Sequence, residues 1–137
     1  MNQNLIIDIH SFSYKKGGIP KDNTGNGGGF VFDCRGILNP GRIEQYKQQT
    51  GCDVGVQNYL ETETKMPEFI ALVKQIVSIN IDDYIAREFE NLQISFGCTG
   101  GQHRSVYSAE TIAKFIQEKY PNVTVKLQHD EQPQLNK

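Results

Sequence analysis

Leu92-Gln93-Ile94-Ser95-Phe96-Gly97-Cys98-Thr99-Gly100-Gly101-Gln102-His103-Arg104-Ser105 is the stretch that decides how this chain folds. Its first five residues alternate apolar with polar, the period of a β-strand. From Ser105 to Lys119, Val106, Ala109, Ile112, Ala113 and Ile116 recur at helical spacing. The chain therefore reads as strand, glycine-bearing loop and helix N-terminus in immediate succession. A helix start leaves backbone N–H groups unpaired at the positive end of its dipole, and small residues before it let an anion approach the main chain. Thr99, His103, Arg104 and Ser105 add side-chain donors, and the arginine fork suits the oxygens of a phosphate. The bland alternative is a tight turn with Arg104 paired to a structural carboxylate.

Working outward, residues 4 to 12 read as a first strand, with Leu5, Ile7 and Ile9 on one face and His10 on the other. Phe30 to Cys34 reads as a short buried strand ending at Asp33, and Val123, Val125 and Leu127 mark a last one. Short helices are predicted over Arg42 to Gln49 and Val56 to Glu61, and a long one from Pro67 to about Glu90, bent near Ser78 to Asn80. Lys15 to Gly29, with Gly17-Gly18, Pro20 and Gly25 to Gly29, reads as a mobile loop, either a lid or a tolerated insertion. His129 to Lys137 reads as a polar, frayed tail with His129 in solvent. This order of elements predicts one α/β domain over residues 1–137, its core spanning about 5–128, with a small, mostly parallel sheet of about four strands and helices packed on it. Sites in such folds gather at the carboxyl ends of strands, which brings Asp33, Cys34 and Arg35 toward Cys98.

The chain has 137 residues, 37% of them hydrophobic, enough for one sizeable core. It has no run of about 18 apolar residues and no signal-type start, so a cytoplasmic protein without a membrane span is expected. Three cysteines without C-x-x-C spacing read as free thiols, and with three scattered histidines they make no zinc pattern, so neither metal nor cofactor is expected. His10 reads as a satisfied or surface histidine. Glu61/Glu63 and Asp82/Asp83 read as exposed charges. The formal net charge of −2 disfavours a surface built for nucleic acid.

Cys98 and Arg104 are separated by five residues and followed by Ser105, which is the spacing of the tyrosine phosphatase loop. There a thiolate attacks phosphorus while amides and arginine hold the oxygens, and Asp33 or Asp22 would serve as general acid. Gly97 stands where that family has a histidine, and no motif marks the acid.

The run Gly97 to Tyr107 with Ala109-Glu110, the segment Ser11-Phe12-Ser13-Tyr14-Lys15 with Gly18-Ile19-Pro20, and Phe30-Val31-Phe32-Asp33-Cys34-Arg35 with Asn39-Pro40 together resemble the C-terminal domain of RapZ-type RNase adapter proteins, over about residues 5–128. The resemblance implies an α/β domain related to a sugar-phosphate subdomain of phosphofructokinase. It also implies binding of glucosamine 6-phosphate and a small regulatory RNA, and homo-oligomers. By position, the ligand loop falls on Cys98, Thr99, Gly100, Gly101, Gln102, His103, Arg104 and Ser105, with Asp33, Ser13 and Tyr14 nearby; Asp33 would orient Arg104 or take a ligand hydroxyl or amine. Three departures stand out. There is no G-x-x-x-x-G-K-[ST] nucleotide loop, Gly41 replaces a histidine, and Gln128-His129-Asp130-Glu131-Gln132-Pro133 replaces the basic tail of the RNA-binding members.

Overall fold

A computed structural model describes residues 4–136. Four strands, β1 (Ile6–Ser13), β2 (Gly29–Asp33), β3 (Asn91–Cys98) and β4 (Thr124–His129), form one all-parallel sheet in the order β2-β3-β1-β4. Three helices accompany them: α1 (Val54–Glu63), α2 (Met66–Ala86) and α3 (Arg104–Lys119).

Register and period-two alternation together give the sheet two unlike faces. Ile7 and Ile9 of β1, Leu92, Ile94 and Phe96 of β3, Phe30 and Phe32 of β2, and Val125 and Leu127 of β4 share one face. They form one core with Ala109, Ile112, Ala113 and Ile116 of α3 and with Met66, Val73, Val77 and Ile81 of α2. The other face carries Asp8, His10, Gln93 and Ser95, paired across the register. Gln93 Nε2 donates to the Pro20 carbonyl at 3.2 Å and to Ser95 Oγ at 3.3 Å, so a loop strand covers part of that face in place of a second helical layer.

Several expectations are corrected. Arg42 to Gln49 forms no α-helix, only 3-10 turns at Pro40–Arg42 and Glu44–Tyr46. The backbone closes tighter i→i+3 bonds instead, Tyr46 N to Ile43 O at 2.9 Å and Lys47 N to Glu44 O at 3.3 Å, and the last carbonyls are held from the loop after β3: Tyr46 O faces His103 Nε2 at 2.8 Å, and Lys47 O and Gln49 O accept from Gln102 Nε2 at 2.8 and 2.7 Å. α2 ends at Ala86 and runs unbroken through Ser78 to Asn80, where the sequence suggests a bend. The glycine-rich run enters β2 at Gly29, which pairs with Gln93 near the amino end of β3, so Gly25 to Gly29 lies at the opposite end of the sheet from the Cys98 loop and is not placed as its lid. Asp22 organises that run: its carboxylate accepts from Thr24 and from the Gly27 amide, and these bonds hold its pKa below the ordinary value.

The tail is also built in rather than frayed. His129 is the last residue of β4 on the helix-facing side and is 1% exposed, because the alternation of Val125 and Leu127 continues through it. Asp130 pairs with His10 at 2.9 Å, Glu131 accepts from the Gly17 amide at 3.1 Å, and Asn136 Oδ1 accepts from the His129 amide at 2.7 Å. His10 is thus a satisfied histidine whose partner is Asp130. Glu61 and Asp82 take the Tyr107 and Tyr120 hydroxyl protons in hydrogen bonds of 2.8 and 2.6 Å, and burial with these carboxylates pushes both phenols up to about 12.

Candidate functional site

The two central strands end side by side, and their terminal residues hold the loop that follows β3. Ser13 Oγ donates to the Thr99 carbonyl at 2.5 Å and accepts from the Lys15 and Lys16 amides. Tyr14 donates its amide to the Cys98 carbonyl at 3.0 Å. A Cβ on Gly97 would lie 2.3 Å from Phe12 Cζ and 2.6 Å from Tyr14 Cε2, so the Phe12 and Tyr14 side chains claim the space a histidine would need there. This gives Gly97 a packing reason and accounts for the departure from the tyrosine phosphatase pattern.

At the far end of the loop Arg104 opens α3. Its guanidinium is inside the protein, 4% exposed, and Nη1 donates to the Ile37 carbonyl at 2.7 Å and the Arg35 carbonyl at 3.2 Å, while Nη2 reaches Thr99 Oγ1 at 3.5 Å. Arg104 Nε is buried without a hydrogen-bond partner among the described residues. Carbonyls hold the arginine in place without neutralising it. Among the described residues the amides of Gly100 to Ser105 likewise find no backbone acceptor, and for Arg104 and Ser105 the first turn of α3 dictates it. Cys98, 2% exposed, donates its thiol to Ser105 Oγ at 3.1 Å.

A cavity of about 210 Å³ lies against this loop, lined by Cys98, Thr99, Gly100, Gln102, His103 and Arg104, and closed by Asn39, Gly41 and Lys47. No carboxylate is in that lining. Asn39 and Lys47 carry no motif of their own; only the Asn-Pro step hinted at the first. Lys47 pairs at the surface with Glu44 at 2.9 Å.

The other expected residues fall around the cavity rather than in its wall. Ser105 meets the Cys98 thiol. Gly101, at φ 69°, packs toward Glu131. Ser13 is a buried strut behind the loop. Tyr14 lies under Arg35, whose guanidinium carbon is 3.8 Å from the ring centroid, and burial followed by the Asp33 charge raises its phenol pKa. Asp33 is clasped by Arg35 through two side-chain bonds of 2.9 and 2.8 Å, which hold its carboxyl below the ordinary range. The backbone beyond β2 does approach the loop as topology predicts: Cys34 donates its amide to Gly97 O at 2.7 Å. Cys34 itself is buried, its thiol pushed up to about 12 by that burial. His103 spends Nε2 on Tyr46, and burial lowers its pKa, favouring the neutral ring.

Fold and site together define a parallel α/β domain whose carboxyl edge presents a helix N-terminus and an un-neutralised arginine to a small cavity. The sequence pattern of the RapZ C-terminal domain matches residues 5–133, and the chain belongs to that family. Relatives called nucleotide-binding proteins include one from Endomicrobium trichonymphae, 37% identical over 93% of this chain and 42% of its own length. Another, from Pseudoalteromonas translucida, is 37% identical over 96% of this chain and 44% of its own, and a third, from Thermosipho melanesiensis, is 38% identical over 90% and 41%. The chain thus spans about two fifths of the length of these relatives. Among the described residues no helix is long and apolar enough to cross a membrane.

Proposed function

We propose that this domain is a regulatory binding module that takes a phosphorylated small molecule, an amino-sugar phosphate of the glucosamine 6-phosphate kind, in the cavity beside the Cys98–Ser105 loop. One observation carries the reading: Arg104 and the unpaired amides of α3 meet at a cavity whose lining holds Lys47 and no acid. Such a lining favours a doubly charged oxyanion. The hydroxyl-bearing part of the ligand would face Asn39 and the Gln102 backbone. A volume of about 210 Å³ suits a single sugar phosphate better than a whole nucleotide. The nucleotide-binding name describes relatives more than twice as long, and the nucleotide loop motif is absent from this sequence.

Titration with glucosamine 6-phosphate, followed by amide NMR shifts, tests the proposal. Shifts concentrated from Thr99 to Ser105 are expected, and none at millimolar ligand overturns it.

A second reading has its own support. Cys98 lines the cavity with Ser105 Oγ 3.1 Å from its sulfur, the arrangement a phosphatase nucleophile uses. Against turnover, Asp33 is committed to Arg35, and Asp22 to Thr24 and Gly27, which leaves no carboxyl beside the leaving group. Phosphate release from an aryl phosphate, abolished in Cys98→Ser, would establish the enzyme instead.

A further inference from the structure

On the other flank of α3, Cys52 of the turn before α1, Glu110 of α3 and His129 at the end of β4 each present one ligand atom, and these atoms all lie within 4.8 Å of one another. They come from separate parts of the chain, so no metal-binding spacing reveals them in the sequence. We propose that Cys52, Glu110 and His129 form a site for a divalent, borderline-soft cation of the zinc class, with a fourth position left to water.

Three observations support it. First, His129 is oriented from behind as a metal ligand requires. Nδ1 lies 2.7 Å from Oγ of Ser11, itself fully buried, while Nε2 points at Glu110 Oε2, also at 2.7 Å. With a cation on Nε2, Nδ1–H donates to Ser11, the bond that fixes tautomer and ring plane around bound zinc.

Second, the movements needed are small. Bonds of about 2.3 Å to sulfur and 2.0–2.1 Å to nitrogen or oxygen place tetrahedral ligand atoms roughly 3.5 Å apart. The His129–Glu110 pair must open by roughly 1 Å, and the sulfur, within 4.8 Å of both, needs to close in by no more than about that amount. The groups that move are the accessible ones: the Glu110 side chain is 40% exposed, and Cys52 is at the surface. His129 stays fixed.

Third, a cavity of about 350 Å³ lined by Glu110, Val125, Lys126, Leu127, His129 and Leu135 opens onto the pair and gives an ion a way in. The donor set decides the class of ion. A thiolate with an imidazole and one carboxylate selects zinc or cobalt over magnesium or calcium, which prefer oxygen ligands alone.

The test is titration of chelator-treated protein with Co²⁺ and then Zn²⁺. We expect one equivalent of Co²⁺ to bind, with thiolate-to-cobalt absorption in the near ultraviolet that Zn²⁺ displaces. Cys98 and Cys34 are buried, so this absorption reports Cys52. Cys52→Ser should remove the absorption and weaken Zn²⁺ at least tenfold by calorimetry, without changing the metal-free unfolding midpoint. Glu110→Gln should keep the absorption and weaken binding. Failure of Co²⁺ to produce the band, or equal Zn²⁺ affinity in Cys52→Ser, overturns the proposal. The readout does not involve the phosphate loop, so either proposal can fail alone.

Discussion

The loop that follows β3 and the corner where Cys52, Glu110 and His129 meet both rest on α3 and both have a cysteine at their edge, yet they gather opposite kinds of group. At the first, main-chain amides and a guanidinium meet with no carboxylate in the cavity wall. At the second, a carboxylate, an imidazole and a sulfur converge. One stretch of helix thus borders two unlike sets of groups because its amino end supplies donors through backbone geometry, whereas Glu110, beyond its first turn, contributes only its side chain. Cysteine alone tells the two apart poorly. Cys98 is buried at the cavity wall and bonded to Ser105, while Cys52 reaches the surface.

The sharpest way to break this contrast is Arg104→Ala. It removes the cation from the donor corner and strands the Ile37 and Arg35 carbonyls. Sugar-phosphate affinity should fall about tenfold to a hundredfold, and urea unfolding should show a loss of about 1–3 kcal/mol. Co²⁺ uptake at the other corner should persist.

Gly51→Ala comes next. A Cβ there would sit 2.4 Å from the Tyr107 nitrogen and 2.5 Å from the His103 oxygen, both backbone atoms that cannot rotate away. A destabilisation of about 1–3 kcal/mol is expected. Amide shifts at Gln102 and His103 should accompany it, since the Gly51 amide donates to Gln102 O.

A pH series sharpens the comparison further. The folded pKa of His103 lies below its ordinary 6.5 because of burial, so the unfolded chain takes up that proton first. Its contribution to stability is complete above about 6.5 and is lost as pH falls from there through the folded value. The unfolding midpoint should drop across that window, and less steeply in His103→Asn. An unchanged slope would show that the imidazole is not the group responsible.

The smallest effect is expected from Cys98→Ser. A hydroxyl keeps the bond to Ser105, so affinity for a sugar phosphate should change by less than about twofold and stability by about 1 kcal/mol or less. A large loss of affinity would mean that the thiol itself touches the ligand.

Strands, helices and the loop at Gly97 to Ser105 were legible in the sequence because period two gives way to period 3.6 within a few residues. What escaped depended on partners distant in the chain. Nothing local in Arg42 to Gln49 says that its last carbonyls will be taken by Gln102 and His103, and Lys47 owes its place at the cavity to that same arrangement. His129 was readable in principle, as the continuation of Val123, Val125 and Leu127, but its polar character favoured a tail. The Cys52 cluster was not readable, since it exists only once α3 covers β4.

The order of strands carries a consequence for how the chain is made. β1 emerges first from synthesis and lies between β3 and β4, so its two neighbours are the last strands to appear. Parallel pairing offers no hairpin shortcut, and closing such long loops precedes any reward from contact. Until Thr124 to His129 has been translated, Ile7 and Ile9 lack part of their shelter, and a ribosome stalled earlier would display β1 as a sticky segment for chaperones to hold.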